Sequence, residues 1–232
     1  MTFTFCTLAI GEKYYKAAKE LFEGIKSTCG DFCNFVIVGD TEGDVLVSPE
    51  KYEFVTAKIF NYNLKHLAIK HSLDKGGEYI IFVDADWHLH ENFHRDKLLK
   101  FYQSIKSNGN DFFFERPHLI KAAKHDPFVF WHHKLPYYPE ILTGKYDNGH
   151  VCNEQFMVFR NFNKLHDFVG AWEKRYFKNV EDAYNPFAEG LEIGMSVIDS
   201  RLRFNWQQNY FFILNECFWF LNPSGVKYIR FT

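Results

Sequence analysis

The chain has 232 residues, enough for one domain with a full core, and its 47% hydrophobic and 24% charged residues are those of a soluble globular protein. A formal net charge of −2, from 27 basic and 29 acidic residues, gives no global basic field of the kind that attracts nucleic acid, and leaves room only for a local basic groove. Aromatics reach 19%, with 27 Phe; these are too many for one binding groove, so most belong to the core.

In chain order, Phe3 to Ile10 reads as an apolar strand. Tyr15, Ala18, Phe22 and Ile25 recur at helical spacing and predict an amphipathic helix from about Glu12 to Lys26. Phe35-Val36-Ile37-Val38 is a second strand, stopped by Gly39-Asp40, and Tyr52 to Ala57 is a weaker third. Leu64, Leu67, Ala68 and His71 share one face of a second helix, with Asn61 or Asn63 as its N-cap. The run Tyr79-Ile80-Ile81-Phe82-Val83 has the continuous apolar character of a strand buried on both faces. A third helix follows, with Asp96 near its start and Leu98, Leu99, Tyr102 and Ile105 facing inward. This βαβ rhythm predicts an α/β fold with a mostly parallel sheet and right-handed crossovers.

The second half changes character. Phe112-Phe113-Phe114 and Phe156-Met157-Val158-Phe159 read as strands, but 41 residues rich in Pro, His and aromatics separate them. So long a connection is functional or disordered, and this one is too aromatic for disorder. Leu165, Phe168, Val169, Trp172 and Tyr176 mark another helix. A short helix begins near Glu189, with Leu191, Met195 and Ile198 spaced for burial; Phe211 to Leu214 and Tyr228 to Phe231 close the chain as strands. No run approaches the ~20 apolar residues of a membrane span. The N-terminal segment Met1 to Phe5 lacks the positive and apolar regions of a signal peptide, and five Cys without a second pair near Cys29 and Cys33 argue against a disulfide scaffold or zinc site. A cytoplasmic, reducing location is expected.

Chemistry concentrates where the fourth apolar run ends in Asp84-Ala85-Asp86. Ligands of open α/β sheets bind beyond the carboxyl ends of the strands. Two acids at i and i+2 of an extended segment point to one side and can share a hard divalent cation, which grips a diphosphate; a pair of solvated acids in a strand-to-loop turn is the alternative. His88 could complete the metal shell, with His90 and His94 close behind; solvated loop histidines are the alternative. In Glu189-Gly190-Leu191-Glu192-Ile193-Gly194, the two glycines permit close backbone approach, and Glu189 sits at a helix start. A carboxylate fixed there can act as a base or stabilise a sugar cation; otherwise Glu189 caps the helix and Glu192 lies on its solvated face. Asn153, Glu154 and Gln155 precede a strand and can hydrogen-bond a polar acceptor, or simply initiate the strand. Trp131, His132 and His133 can stack on a sugar or base. Lys58 and Lys65 flank the second helix and can reach a phosphate, although a helix Lys is ordinarily solvated.

These residues, in this order, resemble a GT-A glycosyltransferase, and among such enzymes the retaining family that includes the blood-group A and B transferases. Ala9-Ile10-Gly11-Glu12-Lys13-Tyr14 is similar to that family's first strand and nucleotide-side loop, Phe35 to Asp40 to its second strand, and Tyr79 to Trp87 to its metal strand, Val-Asp-x-Asp. The resemblance covers roughly residues 3 to 100 and thins afterwards. It implies a Rossmann-like sheet flanked by helices, with an irregular acceptor-side insertion. It also implies Mn²⁺ or Mg²⁺ and a nucleoside diphosphate sugar held by Thr7, Ala9, Ile10, Tyr14, Asp40, Lys58, Lys65, Asp84, Ala85 and Asp86. Residues 1–100 would form the donor and metal half of a single domain, and 101–232 the acceptor and catalytic half. Phe187-Ala188-Glu189 stands where the family carries an acidic pair before a helix; Ala188 replaces the first acid, which leaves the catalytic carboxylate open between Glu189 and Glu192. The expected enzyme is a small soluble one of bacterial or viral type, transferring sugar to a saccharide or other soluble hydroxyl. A hydroxymethylated base in DNA is the second acceptor, with the aromatic, His-rich insert holding a flipped base. A nucleotidyltransferase would bring a better phosphate loop than Gly11-Glu12-Lys13, and a non-catalytic sugar-nucleotide-binding module would bind without turnover.

Overall fold

Among the described residues the apolar runs assemble into twelve strands, seven of them in one sheet. The structure, a computed structural model, describes residues 2–47, 64–114, 118–132, 135–181, 189–205, 214, 217–221 and 227–229. The strands are β1 (Phe3–Ala9), β2 (Cys33–Gly39), β3 (Val45–Leu46), β4 (Tyr79–Val83), β5 (His88–Leu89), β6 (Phe112–Phe114), β7 (His118–Leu119), β8 (His150–Val151), β9 (Phe156–Arg160), β10 (Phe204–Asn205), β11 (Phe218–Leu221) and β12 (Lys227–Ile229). The longer helices are α1 (Glu12–Cys29), α2 (Lys65–Ser72), α3 (Arg95–Asn108), α4 (Asn163–Glu181) and α5 (Glu189–Asp199). Seven strands form the main sheet in the order β10-β6-β9-β4-β1-β2-β3. All run the same way except β9, which is antiparallel to both β4 and β6. The mixed α/β class and its mostly parallel sheet are therefore those read from the sequence.

Alternation along the strands builds two cores. Phe3, Phe5, Tyr79, Ile81 and Val83 face the layer filled by Leu21, Phe22 and Ile25 of α1 and Leu98, Phe101 and Ile105 of α3. Cys6, Leu8, Ile80 and Phe82 face the opposite layer, filled by Leu67 and Ala68 of α2 and Leu165, Phe168 and Trp172 of α4. Wedged between the sheet and α4, α2 buries Lys65, His66 and Ile69 along with the expected apolar positions, while His71, expected on the buried face, is exposed. In α3 the deeply buried aromatic is Phe101, and Leu99 and Tyr102 are only half-buried. The connection from β6 to β9 is structured: β7 pairs with β8, and short helical turns occupy Ile120–Ala123, Pro127–His132 and Pro139–Leu142. The expected strand at 52–57, the caps Asn61 and Asn63, and residues 211–213 lie outside the described residues; the last expected strand is present as β12. All five cysteines are buried, as thiols.

Candidate active site

The parallel strands deliver their carboxyl ends to one edge. At the end of β1, Gly11 adopts φ 90°, which opens the turn into α1, and its N–H donates to Asp40 Oδ1 at 2.8 Å from the end of β2. Leu8, Ile10 and Tyr14 line one wall of a cavity of about 190 Å³, and Lys65, Asp84, Ala85 and Asp86 line the other. Thr7 and Ala9, expected beside the nucleotide, are instead fully buried, with Ala9 packed in the layer under α1 and α3. Side chains alternate across a strand, so Leu8 and Ile10 take the cleft face and their neighbours cannot.

At the end of β4 the backbone does not stay extended. Trp87 N–H donates to the Asp84 carbonyl at 3.2 Å, closing a turn over Asp84-Ala85-Asp86. The driving force is Trp87, which is buried and stacks on Phe156 at 5.6 Å between centroids. The two acids therefore share the cavity without sharing an extended face: Asp84 is half-buried and Asp86 exposed. His88 lies in β5, where it pairs with Trp219, His90 Nδ1 accepts the Asn92 N–H, and His94 is exposed at the entry to α3. Among the described residues, no three His, Cys, Asp or Glu side chains converge in a way that could hold a metal ion. His88 thus does not complete a shell with Asp84 and Asp86; a short strand pairing has taken it elsewhere.

Lys65 joins the halves of the chain. Its ammonium lies 2.9 Å from Asp84 Oδ1 and 3.4 Å from Glu189 Oε2, with side-chain exposures of 10%, 19% and 11%. It is thus a buried cation and not the solvated helix lysine of ordinary expectation. Burial alone would lower its pKa, but the carboxylates of Asp84, Glu189 and Glu154 outweigh this and hold it above the usual lysine value. Burial pushes Asp84 up to about 6, with Lys65 pulling the other way. Glu189 is pushed up to about 8, again by burial against Lys65, with Glu154, Asp84 and Glu192 adding to the rise. Glu189 Oε1 is buried and has no hydrogen-bond partner among the described residues.

Because β9 is reversed, the turn that precedes it lies beside the end of β4. Asp84 N–H donates to the Gln155 carbonyl at 3.0 Å, and Asn153 Oδ1 accepts the Gln155 N–H at 3.0 Å. Asn153, Glu154 and Gln155 are thereby brought to Asp84 and Lys65, with Glu154 close enough to act on the charge of Lys65, Asp84 and Glu189. Glu189 reaches the same place from the start of α5. Gly190 and Gly194 let this helix lie against the chain around β8, where an added Cβ would meet the Cys152 and His150 carbonyls at 2.2 and 1.7 Å. The close approach expected of these glycines is thus made by the protein's own backbone and not by a substrate. Glu192, for which the sequence offers a solvated face as the alternative to a catalytic role, is fully buried and accepts the Tyr138 hydroxyl at 2.8 Å. Lys58 and His133 lie outside the described residues, and of Trp131 and His132 only the backbone, within Pro127–His132, is described. Sequence reasoning missed the Lys65 bridge; its signal was a lysine set among Leu64, Leu67 and Ala68 at the start of a helix whose exposed polar residues, Lys70 and His71, come at the other end.

No family model matches the sequence, and no curated protein matches it. Among solved structures, the chain is similar to a glycosyltransferase involved in the glycosylation of the major capsid of PBCV-1, at 15% identity over 89% of this chain and 81% of that one, with a TM-score of 0.47. It is also similar to the galactosyltransferase LgtC in complex with donor and acceptor sugar analogs, at 9% identity over 89% and 73% of the two chains and a TM-score of 0.47. A third similar structure is the core-mannan synthase A (CmsA/Ktr4) of Aspergillus fumigatus in a Mn/GDP form, at 10% identity over 90% and 73% and a TM-score of 0.46.

Proposed function

We propose that this protein is a glycosyltransferase that moves a sugar from a nucleoside diphosphate donor to an acceptor hydroxyl, with a divalent cation and with retention at the anomeric carbon. The observation that carries this reading is the convergence of Asp84, Glu154 and Glu189 on Lys65 at the carboxyl ends of the parallel strands. Transfer of this kind needs positive charge for a departing diphosphate, a carboxylate for the cationic sugar, and polar groups for a hydroxyl, all within one cavity.

Each need has a residue. Leu8, Ile10 and Tyr14 give the nucleoside an apolar wall, with Tyr14 38% exposed at its rim for stacking. Lys65 donates to phosphate or sugar oxygens from a fixed position between two acids. Asp84 and Asp86 are hard oxygen donors on one cavity and suit Mn²⁺ or Mg²⁺ that completes its shell with diphosphate oxygens. When bound, the ion supplies charge neutralisation to the leaving diphosphate. Glu189, with its side chain 11% exposed and 3.4 Å from the Lys65 that lines the cavity, acts in its ionised form on the reacting carbon, as nucleophile or as electrostatic stabiliser. Asn153 and Gln155 orient the acceptor hydroxyl beside it, and the insert from β6 to β9 supplies the rest of the acceptor surface. The acceptor fitting a cleft of this mixed polarity is a saccharide or another soluble hydroxyl.

The test is a screen of nucleotide sugars with Mn²⁺ or with chelator, read first as thermal stabilisation and then as donor hydrolysis and transfer. A donor at about 100 times its Kd should raise the melting temperature by roughly 5–10 °C in Mn²⁺. Asp86→Asn should lose the Mn²⁺-dependent part of that shift while melting as the wild type does without ligand, because Asp86 is exposed and holds nothing together. Absence of stabilisation by every nucleotide sugar would overturn the reading. Full donor turnover by Asp86→Asn in chelator would overturn the metal assignment alone.

A further inference from the structure

Between β6 and β9 the chain builds a small apolar cluster of its own, from Ile120, Val129, Leu135, Tyr138, Ile141 and Tyr146. The cluster is closed by Leu191 and Met195 of α5, whose next residues round, Ile193 and Val197, pack into the main core. The helix that starts with Glu189 is thus a wall shared by the insert and the sheet. Apolar packing and the glycine contacts at Gly190 and Gly194 set how close α5 lies to its neighbours. The Cys152 N–H donates to the Gly190 carbonyl at 2.9 Å, and Lys145 and Tyr146 donate to Asp199 at the other end of the helix. A side-chain hydrogen bond from the insert adds to these at the first turn. Tyr138, 3% exposed, donates its hydroxyl at 2.8 Å to Oε1 of Glu192, which is 0% exposed and stands three residues after Glu189. A carboxylate so deeply buried requires such a bond and has no surface to show a substrate.

We propose that the Tyr138–Glu192 hydrogen bond is the joint through which the insert holds the first turn of α5, and that Glu192 is a positioning residue for Glu189. The second acid of the helix start, a candidate catalyst from the sequence, then serves by fixing the direction of the first. Glu189 faces Lys65 because Glu192 is held toward Tyr138. This rests on the reading of Glu189 as the carboxylate that acts on the donor sugar.

Two measurements test it. Hydrogen exchange reads the joint without any activity: in Tyr138→Phe, which keeps the ring in the cluster, amides over residues 191–195 should exchange about fivefold faster or more, the loss expected for one hydrogen bond, while those of β1 and β4 are unchanged. Steady-state kinetics reads the role. Glu192→Gln keeps an acceptor oxygen for Tyr138 and should retain kcat within about threefold, whereas Glu192→Leu and Tyr138→Phe should lower kcat about tenfold with donor KM unchanged. A collapse of kcat in Glu192→Gln equal to that in Glu192→Leu would show that the charge itself acts, and would overturn the positioning role. Unchanged exchange in Tyr138→Phe would overturn the joint. If Glu192→Leu does not fold, Tyr138→Phe carries both measurements. If the wild-type protein turns over no nucleotide sugar, the glycosyl-transfer reading falls, and exchange alone decides the joint.

Discussion

Lys65 lies within 3.4 Å of Glu189 and of Asp84, which burial holds at about 6 and which is therefore ionised near neutral pH; removing the ammonium leaves uncompensated charge on a largely buried Asp84. Lys65→Met should therefore cost about 3 kcal/mol in a denaturant titration near neutral pH, although the new side chain fills the same space. Glu189→Gln should lower turnover by at least ~100-fold with donor affinity little changed, the loss expected for a positioned charged group. Because the ionised form acts and burial holds Glu189 at about 8, wild-type turnover should climb with pH toward that value, and the variant should lose the climb. A near-normal rate for Glu189→Gln would remove it from the mechanism. At this scale the acids were legible, since Asp84, Asp86 and Glu189 stand at abrupt ends of apolar runs. Their cation was not. Lys65 looks like any helix lysine until α4 is laid over α2, a contact between residues about a hundred positions apart that no local pattern carries.

Among the elements, α5 makes the sharpest prediction because two of its glycines are there for want of space. Gly194→Ala would place a Cβ 1.7 Å from the His150 carbonyl, so α5 or the chain at β8 must move; the expected loss is about 3 kcal/mol, the upper range for overpacking, with turnover falling as Glu189 shifts. Gly170, in the middle of α4, is the control. An added Cβ there meets nothing within 4 Å, and Gly170→Ala should stabilise by up to ~1 kcal/mol through helix propensity, read by the same titration. The strong elements were all visible in periodicity: β1, β2, β4, α1, α3 and α4 fall within a few residues of their expected bounds. What periodicity could not give was the turn at Asp84-Ala85-Asp86. Alternation predicts an extended i, i+2 pair, and the burial of Trp87 against Phe156 overrides it. The two-residue strands β5, β7 and β8 are likewise set by partners, not by propensity.

The whole molecule should register the site's charges in its stability. Glu189 and Asp84, at about 8 and about 6, stand above their ordinary 4.5 and 3.8. Between those values the folded protein keeps protons that the unfolded chain has released, so the unfolded state binds fewer and stability falls as pH rises. Unfolding free energy should thus decline from about pH 4.5 to pH 8, and the decline should be shallower in Glu189→Gln; a flat profile in the wild type would contradict the burial of these acids. Among the described residues, no helix is long and apolar enough to cross a membrane. The candidate site takes Asp84 from the first hundred residues and Glu154 and Glu189 from the rest. Topology adds a last consequence. Since β6 and β9 are adjacent antiparallel strands, with Phe112 opposite Phe159, the 41 residues between them are the loop of a hairpin, and the sheet is indifferent to their length. Only the outer part of this stretch is free to vary, because His150 to Gln155 are fixed against α5 and the end of β4. A replacement for the outer part that keeps partners for Leu191, Glu192 and Met195 would leave α5 where it stands, whereas one that ignores them would leave it facing a stranger.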